Sequence, residues 1–542
     1  MLKFQFILPT LIAAIASVVL TATPDQWRSK SIYQVMTDRF AVADNSSKPC
    51  DTSARKYCGG SWKGITSHLD YIQNLGFDAI WISPVVENLE GETGYGEAYH
   101  GYWTKNINKI NTHYGSEGDL MELSNALHSR NMFLMVDIVV NHFAVIPPNS
   151  TSSKLDFSNL SPFPSESDYH TRCEIRDYMN QTEVEQCWLG DNILPLADLN
   201  TEDPSIVQAL NSWISELVKK YDMDGLRLDT AKHIRKDFWP SFTQSAAIFT
   251  IGEVVSDQTN YTKAYTYCLD SILDYPGWFS LKSAFSNPAG NLSALVDTVT
   301  KTQTIYKNGA FMTGSFLENH DQPRFQSLTQ DQALVKNAMM WPFINDGIPI
   351  LYYGQEQGYT GAEDPQNREA LWPTAYGTQN VLTKHVISLN AARKAAAAWN
   401  PNFLSTSLKF IAQPNQGTLV VSKPPLLALL TNVGNKSTTT TSWTIPGSEG
   451  LYMSGEDIVN VLDCKVYQAD KEGGISVQVD SGMPQLLMPA SSLNQHGILC
   501  SSVATGTGNS KIVSSTVTQT SHVGWSVVCG TFLAFWSVLF LL

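Results

Sequence analysis

Eight short apolar runs recur along residues 31–356, and each closes on polar residues: SIYQVMTDRF (31–40), FDAIWISPV (77–85), FLMVDIVVNH (133–142), GLRLDT (225–230), FTIGEV (249–254), SILDYP (271–276), GSFLENHD (314–321) and IPILYYGQE (348–356). Runs this short and this rich in Val, Ile, Leu and Phe predict strands buried on both faces. Between them the apolar period lengthens to that of a helix with one buried stripe, as in SEGDLMELSNALHSRN (116–131) and PSIVQALNSWISELVKKY (204–221). Eight strand-and-helix units predict an α/β protein built on a closed parallel (β/α)8 TIM barrel.

Two departures from this rhythm divide the chain. The polar, Pro- and Ser-rich stretch 143–200 is too long for a βα loop and reads as a small domain inserted after the third strand. It splits the barrel into 23–142 and 201–405. Across 406–502 helical periodicity gives way to β-prone runs such as TLVVSK (418–423) and LALLTNV (427–433), which predict a C-terminal antiparallel β-sandwich domain.

Both ends read as addresses. Residues 1–22 carry Lys3, an apolar run and small residues at a cleavage point, the pattern of a signal peptide. At the other end a Ser/Thr-rich spacer (503–522) precedes an uncharged hydrophobic tail (523–542) with no basic flank. This matches a glycosylphosphatidylinositol (GPI) attachment signal, whose tail is removed on anchoring, with the attachment residue near Gly508–Ser510 or at Ser514 or Ser515. A tail-anchoring membrane helix is the alternative. Either way the expected location is the secretory pathway and the cell surface or wall, with the membrane as partner through the lipid anchor.

A secretory route agrees with the sequons at Asn45, Asn149, Asn159, Asn180, Asn260, Asn291 and Asn435 and with cysteine use. Of the eight cysteines Cys529 leaves with the tail. Local spacing favours Cys50 with Cys58 and Cys173 with Cys187, while Cys464 with Cys500 would close the C-terminal module, leaving Cys268 as a buried free thiol. With 542 residues, 43% of them apolar, the chain can bury a large core. A net charge of −14 and the lack of a basic tract argue against nucleic acid, whose binding depends on clustered Lys and Arg. The expected state is a monomer.

The segment DGLRLDTAKH (224–233) alternates Arg227 and Asp229 with Leu226 and Leu228, where a buried strand would ordinarily carry neither charge. In a parallel barrel, however, the C-terminal strand ends and following loops form the active site. Asp137, Arg227, Asp229, Glu253, His320 and Asp321 all fall at or near such ends. Retaining glycoside hydrolysis needs a carboxylate that attacks the anomeric carbon and a protonated one that donates to the leaving oxygen, ~5–5.5 Å apart. Asp229 and Glu253, on consecutive strands, suit these roles: Arg227, two residues before Asp229, shares its face and would keep it ionised, whereas Glu253 emerges from a more apolar run that favours the acid form.

DIVVNH (137–142), GLRLDTAKH (225–233), GEVV (252–255) and FLENHD (316–321), in that order, resemble the four signature regions of the α-amylase family, glycoside hydrolase family thirteen. The likeness covers about Trp27 to Trp372, with a weaker echo to Cys500, and is closest to secreted fungal members, in a GPI-anchored subgroup. It implies Asp229 as nucleophile, Glu253 as acid/base and Asp321 as the carboxylate that stabilises the oxocarbenium-like transition state. It implies sugar contacts from His142, His233, His320, Tyr102 and Trp103, an orienting role for Arg227, and outer contacts from Lys232, Asp364 and Arg368. A calcium ion is implied as well, held by Asn141, Glu185, Asp198 and the carbonyl of His233, all oxygen donors as a hard cation requires.

The chain departs from the family pattern at Gln322, where asparagine is usual after ENHD, and at Arg55, where an uncharged amide is common. Three functions are consistent with these residues: endo-hydrolysis of α-1,4-glucans such as starch or glycogen, 4-α-glucanotransfer that remodels cell-wall α-glucan, and a non-catalytic barrel. The presence of all three acids disfavours the last. Hydrolysis and transfer share a glycosyl-enzyme and differ only in the acceptor, so the sequence leaves them both open.

Overall fold

The computed structural model describes residues 22–44, 48–146, 155–288, 290–413, 417–437, 440–495 and 499–500. The expected signal peptide, apart from Ala22, and the spacer, attachment region and hydrophobic tail lie outside these residues, as do the sequons at Asn45 and Asn149. No helix among the described residues is long and apolar enough to cross a membrane.

Eight parallel strands close into a barrel in chain order: β1 (Ile32–Val35), β2 (Ala79–Ile82), β3 (Phe133–Ile138), β4 (Gly225–Leu228), β5 (Phe249–Gly252), β6 (Ser271–Leu273), β7 (Thr313–Ser315) and β8 (Ile348–Tyr352), with β8 returning to pair with β1. Each arises from one of the eight apolar runs. Strand residues alternate between two apolar layers, one facing the helices and one lining the barrel. Leu226 and Leu228 join the outer layer, whereas Ile32, Trp81, Met135, Ile251, Leu273 and Ile350 form the inner one. Alternation therefore sends Arg227 inward, opposite Asp137 of β3 and Ile251 of β5.

Helices on the outside follow the 3.6-residue stripe. Pro204–Tyr221 buries Ile206, Leu210, Trp213, Ile214, Leu217, Val218 and Tyr221, and starts at Asp203, whose carboxylate accepts from the Ser205 N–H while Pro204 occupies the first turn. At the N-terminal end of the strands Trp27 seals the barrel, its indole N–H donating to the carbonyl of Asp224 at 3.0 Å. Gly225 permits this approach, since a Cβ there would meet the Trp27 ring at 2.7 Å. With that end plugged, the cavity opens at the C-terminal strand ends.

Beyond β3 the chain pairs His142–Ala144 with Pro195–Asp198, and that strand with Leu189–Gly190, into a small antiparallel sheet. Cys173–Cys187 crosslinks this excursion, and Cys50–Cys58 ties the loop after β1. In the C-terminal region a six-stranded antiparallel sheet and a two-stranded sheet of Thr441–Ile445 with Ile475–Val479 share a core that includes Trp443, Leu429 and Leu487, and Cys464–Cys500 closes it. Cys268 is a free thiol but half-buried rather than buried; it follows a short 3-10 turn, and the desolvation it does experience pushes its thiol up to about 11.

Candidate active site

Asp229 and Glu253 each lie one residue past the end of a strand, and their N–H groups still donate to the neighbouring strand, Asp229 to Ile138 and Glu253 to Leu228, both at 2.9 Å. The ladder thus holds both carboxylates at one level on adjacent strands. Arg227 lies beneath them, 1% exposed. Its Nη1 is 2.6 Å from Asp229 Oδ1 and 2.9 Å from Asp137 Oδ1, and its Nη2 is 3.0 Å from Glu253 Oε1. One planar fork thereby gathers three carboxylates, a geometry that a lysine ammonium does not supply.

The environments of these acids differ. Burial pushes the Glu253 carboxyl up to about 7 against the opposing pull of Arg227. Its Oε2 accepts from the N–H of Thr230 at 2.9 Å. Thr230 takes a left-handed conformation, φ 46°, which turns the chain out of β4 immediately after Asp229. Burial likewise pushes Asp137 up to about 7, although Arg227, Tyr102 and Trp81 all donate to it. Asp137 was legible as a strand-end acid, but its place as the third carboxylate on Arg227 depends on strand pairing.

A cleft of about 520 Å³ above this floor is lined by Tyr102, Trp103, His142, Asp229, Glu253, His320, Asp321, Asp364 and Arg368, together with Arg55, Tyr95 and His100. Tyr102 stacks on the ring of His320 at 5.1 Å and 4° between planes. Gln34 Nε2 donates to His320 Nδ1 at 2.8 Å, which leaves Nε2 to carry the proton toward Asp321 Oδ2 at 3.1 Å. Burial and the nearby arginines hold His320 well below the ordinary histidine range, so it is a neutral donor. His142 is lowered by burial too, with its Nε2 3.2 Å from the carbonyl of Tyr102. Arg368 spans Asp321 and Asp364, at 3.5 and 2.9 Å.

Lys232 and His233 sit to one side, on the turn Ala231–His233, and do not line the cleft described above. Lys232 donates to the carbonyl of Val255 at 3.1 Å and lies 4.9 Å from the ring of Tyr178. His233 Nδ1 is 3.0 Å from the carbonyl of Val184, and burial takes it down to about 4. Three residues escaped the sequence reading, Tyr95 in the cleft wall being one. His100, buried beside Tyr102 and Trp103, stands in the very HGYW segment read for its aromatics. Tyr178, 57% exposed, gave no signal because nothing local distinguishes it from a surface aromatic.

Of the oxygen donors expected for a cation, Asn141 and Asp198 are brought together, whereas Glu185 Oε1 accepts from Gln181 Nε2 at 2.7 Å and lies 3.6 Å from Lys236 Nζ. The main chains of Asn141 and Leu199 are hydrogen-bonded at 2.9 Å, and His142 pairs with Asp198. Asn141 Oδ1 and Asp198 Oδ1 are buried without a hydrogen-bond partner among the described residues. Glu185 follows Val184, the residue bound by His233. Among the described residues no group of three or more His, Cys, Asp or Glu side chains is arranged to hold a metal ion, which is compatible with a donor set that includes an amide and a main-chain carbonyl. Two buried oxygens lacking any donor fit a hard cation.

Comparison with known proteins adds to this geometry. The α-amylase catalytic domain profile matches residues 34–402 and that of α-amylase domain C matches 415–507. Alpha-amylase 1 of Lipomyces kononenkoae is 43% identical over 483 residues, covering 89% of this chain and 76% of its own length. Alpha-amylase 2 of Schwanniomyces occidentalis is 40% identical over 514 residues, covering 92% and 99%. The solved α-amylase of Malbranchea cinnamomea superposes with a TM-score of 0.84 at 43% identity, over 88% of this chain and 100% of its own.

Proposed function

Because the chain belongs to the α-amylase family of glycoside hydrolases, we propose that it hydrolyses internal α-1,4-glucosidic bonds of starch, glycogen or a related α-glucan with retention at the anomeric carbon. The observation that carries this reading is the Arg227 fork, which joins Asp229 and Glu253 at the ends of adjacent strands. Held by two ends of one guanidinium, the carboxylates suit the short separation of a retaining pair.

In this reading Asp229 forms a bond to the anomeric carbon as the glycosidic C–O bond breaks, and Glu253 gives its proton to the departing oxygen. Glu253, now ionised, then takes a proton from the incoming acceptor as that acceptor displaces Asp229. Asp321 and the neutral His320 face the sugar as positive charge develops on it, and Tyr102 supplies an aromatic face. Lys232 with Tyr178, and Asp364 with Arg368, extend the contacts to neighbouring sugar units.

A calcium ion fits the oxygen set Asn141, Asp198, Glu185 and the His233 carbonyl, where it would tie the inserted segment to the barrel. The chain's own residues do the rest: His233 is held by Val184, and the turn that carries it begins next to Asp229. The sequence pattern at the two ends supports entry to the secretory pathway and a GPI anchor at the surface.

Transfer to a sugar acceptor is the second reading, favoured by Arg55, a charged residue in the cleft wall. Product analysis on maltoheptaose tests both: only shorter sugars support hydrolysis alone, chains longer than the substrate show transfer, and no turnover rejects both.

A further inference from the structure

β6 ends on an acid as its neighbours do, but what reaches Glu253 from this strand end is the residue after it. Asp274, one residue past β6, donates its N–H to the carbonyl of Gly314 at 2.9 Å, while its carboxylate accepts from the N–H of Gly277 at 3.0 Å and caps the helix Tyr275–Phe285. Tyr275 joins the inner layer of the barrel, fully buried and edge-on to Phe316, with ring centroids 5.2 Å apart. Its hydroxyl meets two groups: it accepts from Asn319 Nδ2 at 3.0 Å and lies 3.4 Å from Glu253 Oε1. The direction of this chain is fixed. Asn319 Oδ1 accepts from the N–H groups of Asp321 and Gln322, both at 3.0 Å, and an N–H can only donate, so the amide nitrogen is the atom that faces Tyr275. The phenolic oxygen therefore accepts from Asn319 and directs its own proton at Glu253.

Oε1 of Glu253 thus faces two donors, Arg227 Nη2 at 3.0 Å and the Tyr275 hydroxyl, whereas Oε2 accepts from the N–H of Thr230 alone. An oxygen with both lone pairs aimed at donors has no site for a proton of its own, so the acid proton falls to Oε2. At 3.4 Å the hydroxyl is in reach of the neutral acid without binding it tightly, and O–H···O⁻ bonds to a carboxylate close to ~2.5–2.7 Å. The contact strengthens as Glu253 gives up its proton, and an interaction that grows on the way to the transition state lowers the barrier. We propose that Tyr275, aimed by Asn319, is a positioning residue for the acid/base: it keeps the proton on Oε2 and stabilises the carboxylate left when that proton departs. The same Asn319 amide holds the main chain of Asp321, so one hydrogen-bonded line joins Glu253 to the loop that carries the third acid. The proposal rests on the assignment of Glu253 as acid/base.

Tyr275→Phe in the full chain removes the hydroxyl and keeps the ring against Phe316. The other charges facing Glu253, which are Arg227 on β4, Asp229 and Lys232 just past it, and Asp321 past β7, stay in place. A hydrogen bond donated to the ionised form favours ionisation, so its loss should move the alkaline limb of kcat/KM upward by about half to one pH unit. Below the limb, kcat/KM for maltoheptaose should fall about three- to tenfold, while release of the phenol from 2-chloro-4-nitrophenyl α-maltotrioside, whose leaving oxygen needs little help from a proton, stays within about twofold of the parent. In Asn319→Asp the oxygen facing Tyr275 cannot donate, so the hydroxyl turns to it; this variant should raise the limb on its own, and adding Tyr275→Phe should raise it no further. Melting curves confirm folding. An unmoved limb in either folded single variant, an equal loss on both substrates, or a full second shift in the double variant overturns the proposal. Failure of the underlying reading is distinct, because the limb would then persist in Glu253→Gln or the parent would leave maltoheptaose intact, and the proposal falls with it.

Discussion

Arg227 Nη1 lies 2.6 Å from Oδ1 of Asp229, two residues further along the same chain. The contact follows from alternation along β4, which aims both side chains into the barrel, and it fixes the Asp229 carboxylate facing the cleft. Asp229→Asn keeps the shape and removes the nucleophile; Glu253→Gln keeps the shape and removes the proton. Each is expected to lower kcat at least ~10²-fold, since general acid–base help alone contributes ~10²–10⁴. Steady-state kinetics on maltoheptaose, with melting curves to verify folding, check this. A loss below about tenfold in a folded variant rejects the assignment.

The pH profile follows from Glu253. Burial raises its carboxyl to about 7, and the acid form is the one that donates. Rate should therefore hold below this value and fall as pH rises through it, and the alkaline limb of kcat/KM should be absent from the residual activity of Glu253→Gln. The stability sign is the same. A carboxyl whose folded value exceeds its unfolded 4.5 binds more proton when folded, so its contribution is greatest below 4.5 and is lost as pH rises through about 7. An alkaline limb that survives in Glu253→Gln would assign it to another group.

The barrel was readable because each strand is buried on both faces and ends in polar residues, so eight apolar runs with charged termini stand out locally. The same feature exposed Asp229, Glu253 and Asp321. What the sequence leaves hidden depends on partners far apart in the chain. Asp137 meets Arg227 only through the pairing of β3 with β4, and Arg55 meets Asp364 across 309 residues. Tyr178 acquires its setting from Lys232, on another element. His100 was within reach, since a buried histidine beside two aromatics at a strand-end loop is itself a signal.

Calcium binding is expected to appear as stability. A ligand bound only by the folded state adds about 2.7 kcal/mol at a hundred times its Kd, so chelation should lower the melting temperature and calcium should restore it. Asp198→Asn, which removes charge beside the unpartnered oxygen of Asn141, should weaken that response. Differential scanning calorimetry with and without chelator reads this directly. An identical melting curve after metal removal verified by elemental analysis would count against the site.

The anchor is tested on intact cells. Phosphatidylinositol-specific phospholipase C should release the protein, and mass spectrometry should find residues 523–542 missing from it. Retention on the cells with that tail present would favour the membrane-helix alternative.

Arg55 carries the last expectation. Its backbone is left-handed, φ 52°, an uncommon state for a side chain of this size, and the fold holds it there. The Arg55 carbonyl accepts from the N–H of Glu97 at 2.8 Å, an approach open because residue 96 is glycine: a Cβ there would lie 2.4 Å from that carbonyl oxygen. Arg55 Nη2 donates to the carbonyl of Asp364 at 3.1 Å, and Nη1 is 3.5 Å from its Oδ2. Asp364 in turn binds Arg368, which reaches Asp321, so a line of charges runs along one wall from Arg55 to the candidate catalytic acid. The Arg55 side chain is one-third exposed, so the pair with Asp364 adds little to stability, and its influence falls on what binds in the cleft. Arg55→Gln withdraws charge-assisted donors from sugar hydroxyls and leaves Asp364 paired with Arg368 alone. A hydrogen bond from a charged donor is worth about 1.5–3 kcal/mol net, so the ratio of longer to shorter products from maltoheptaose should shift about tenfold or more, while single-turnover formation of the glycosyl-enzyme stays near the parent rate. If maltoheptaose at high concentration yields only shorter sugars, and Arg55→Gln leaves their distribution unchanged, both the transfer reading and the role of Arg55 fail.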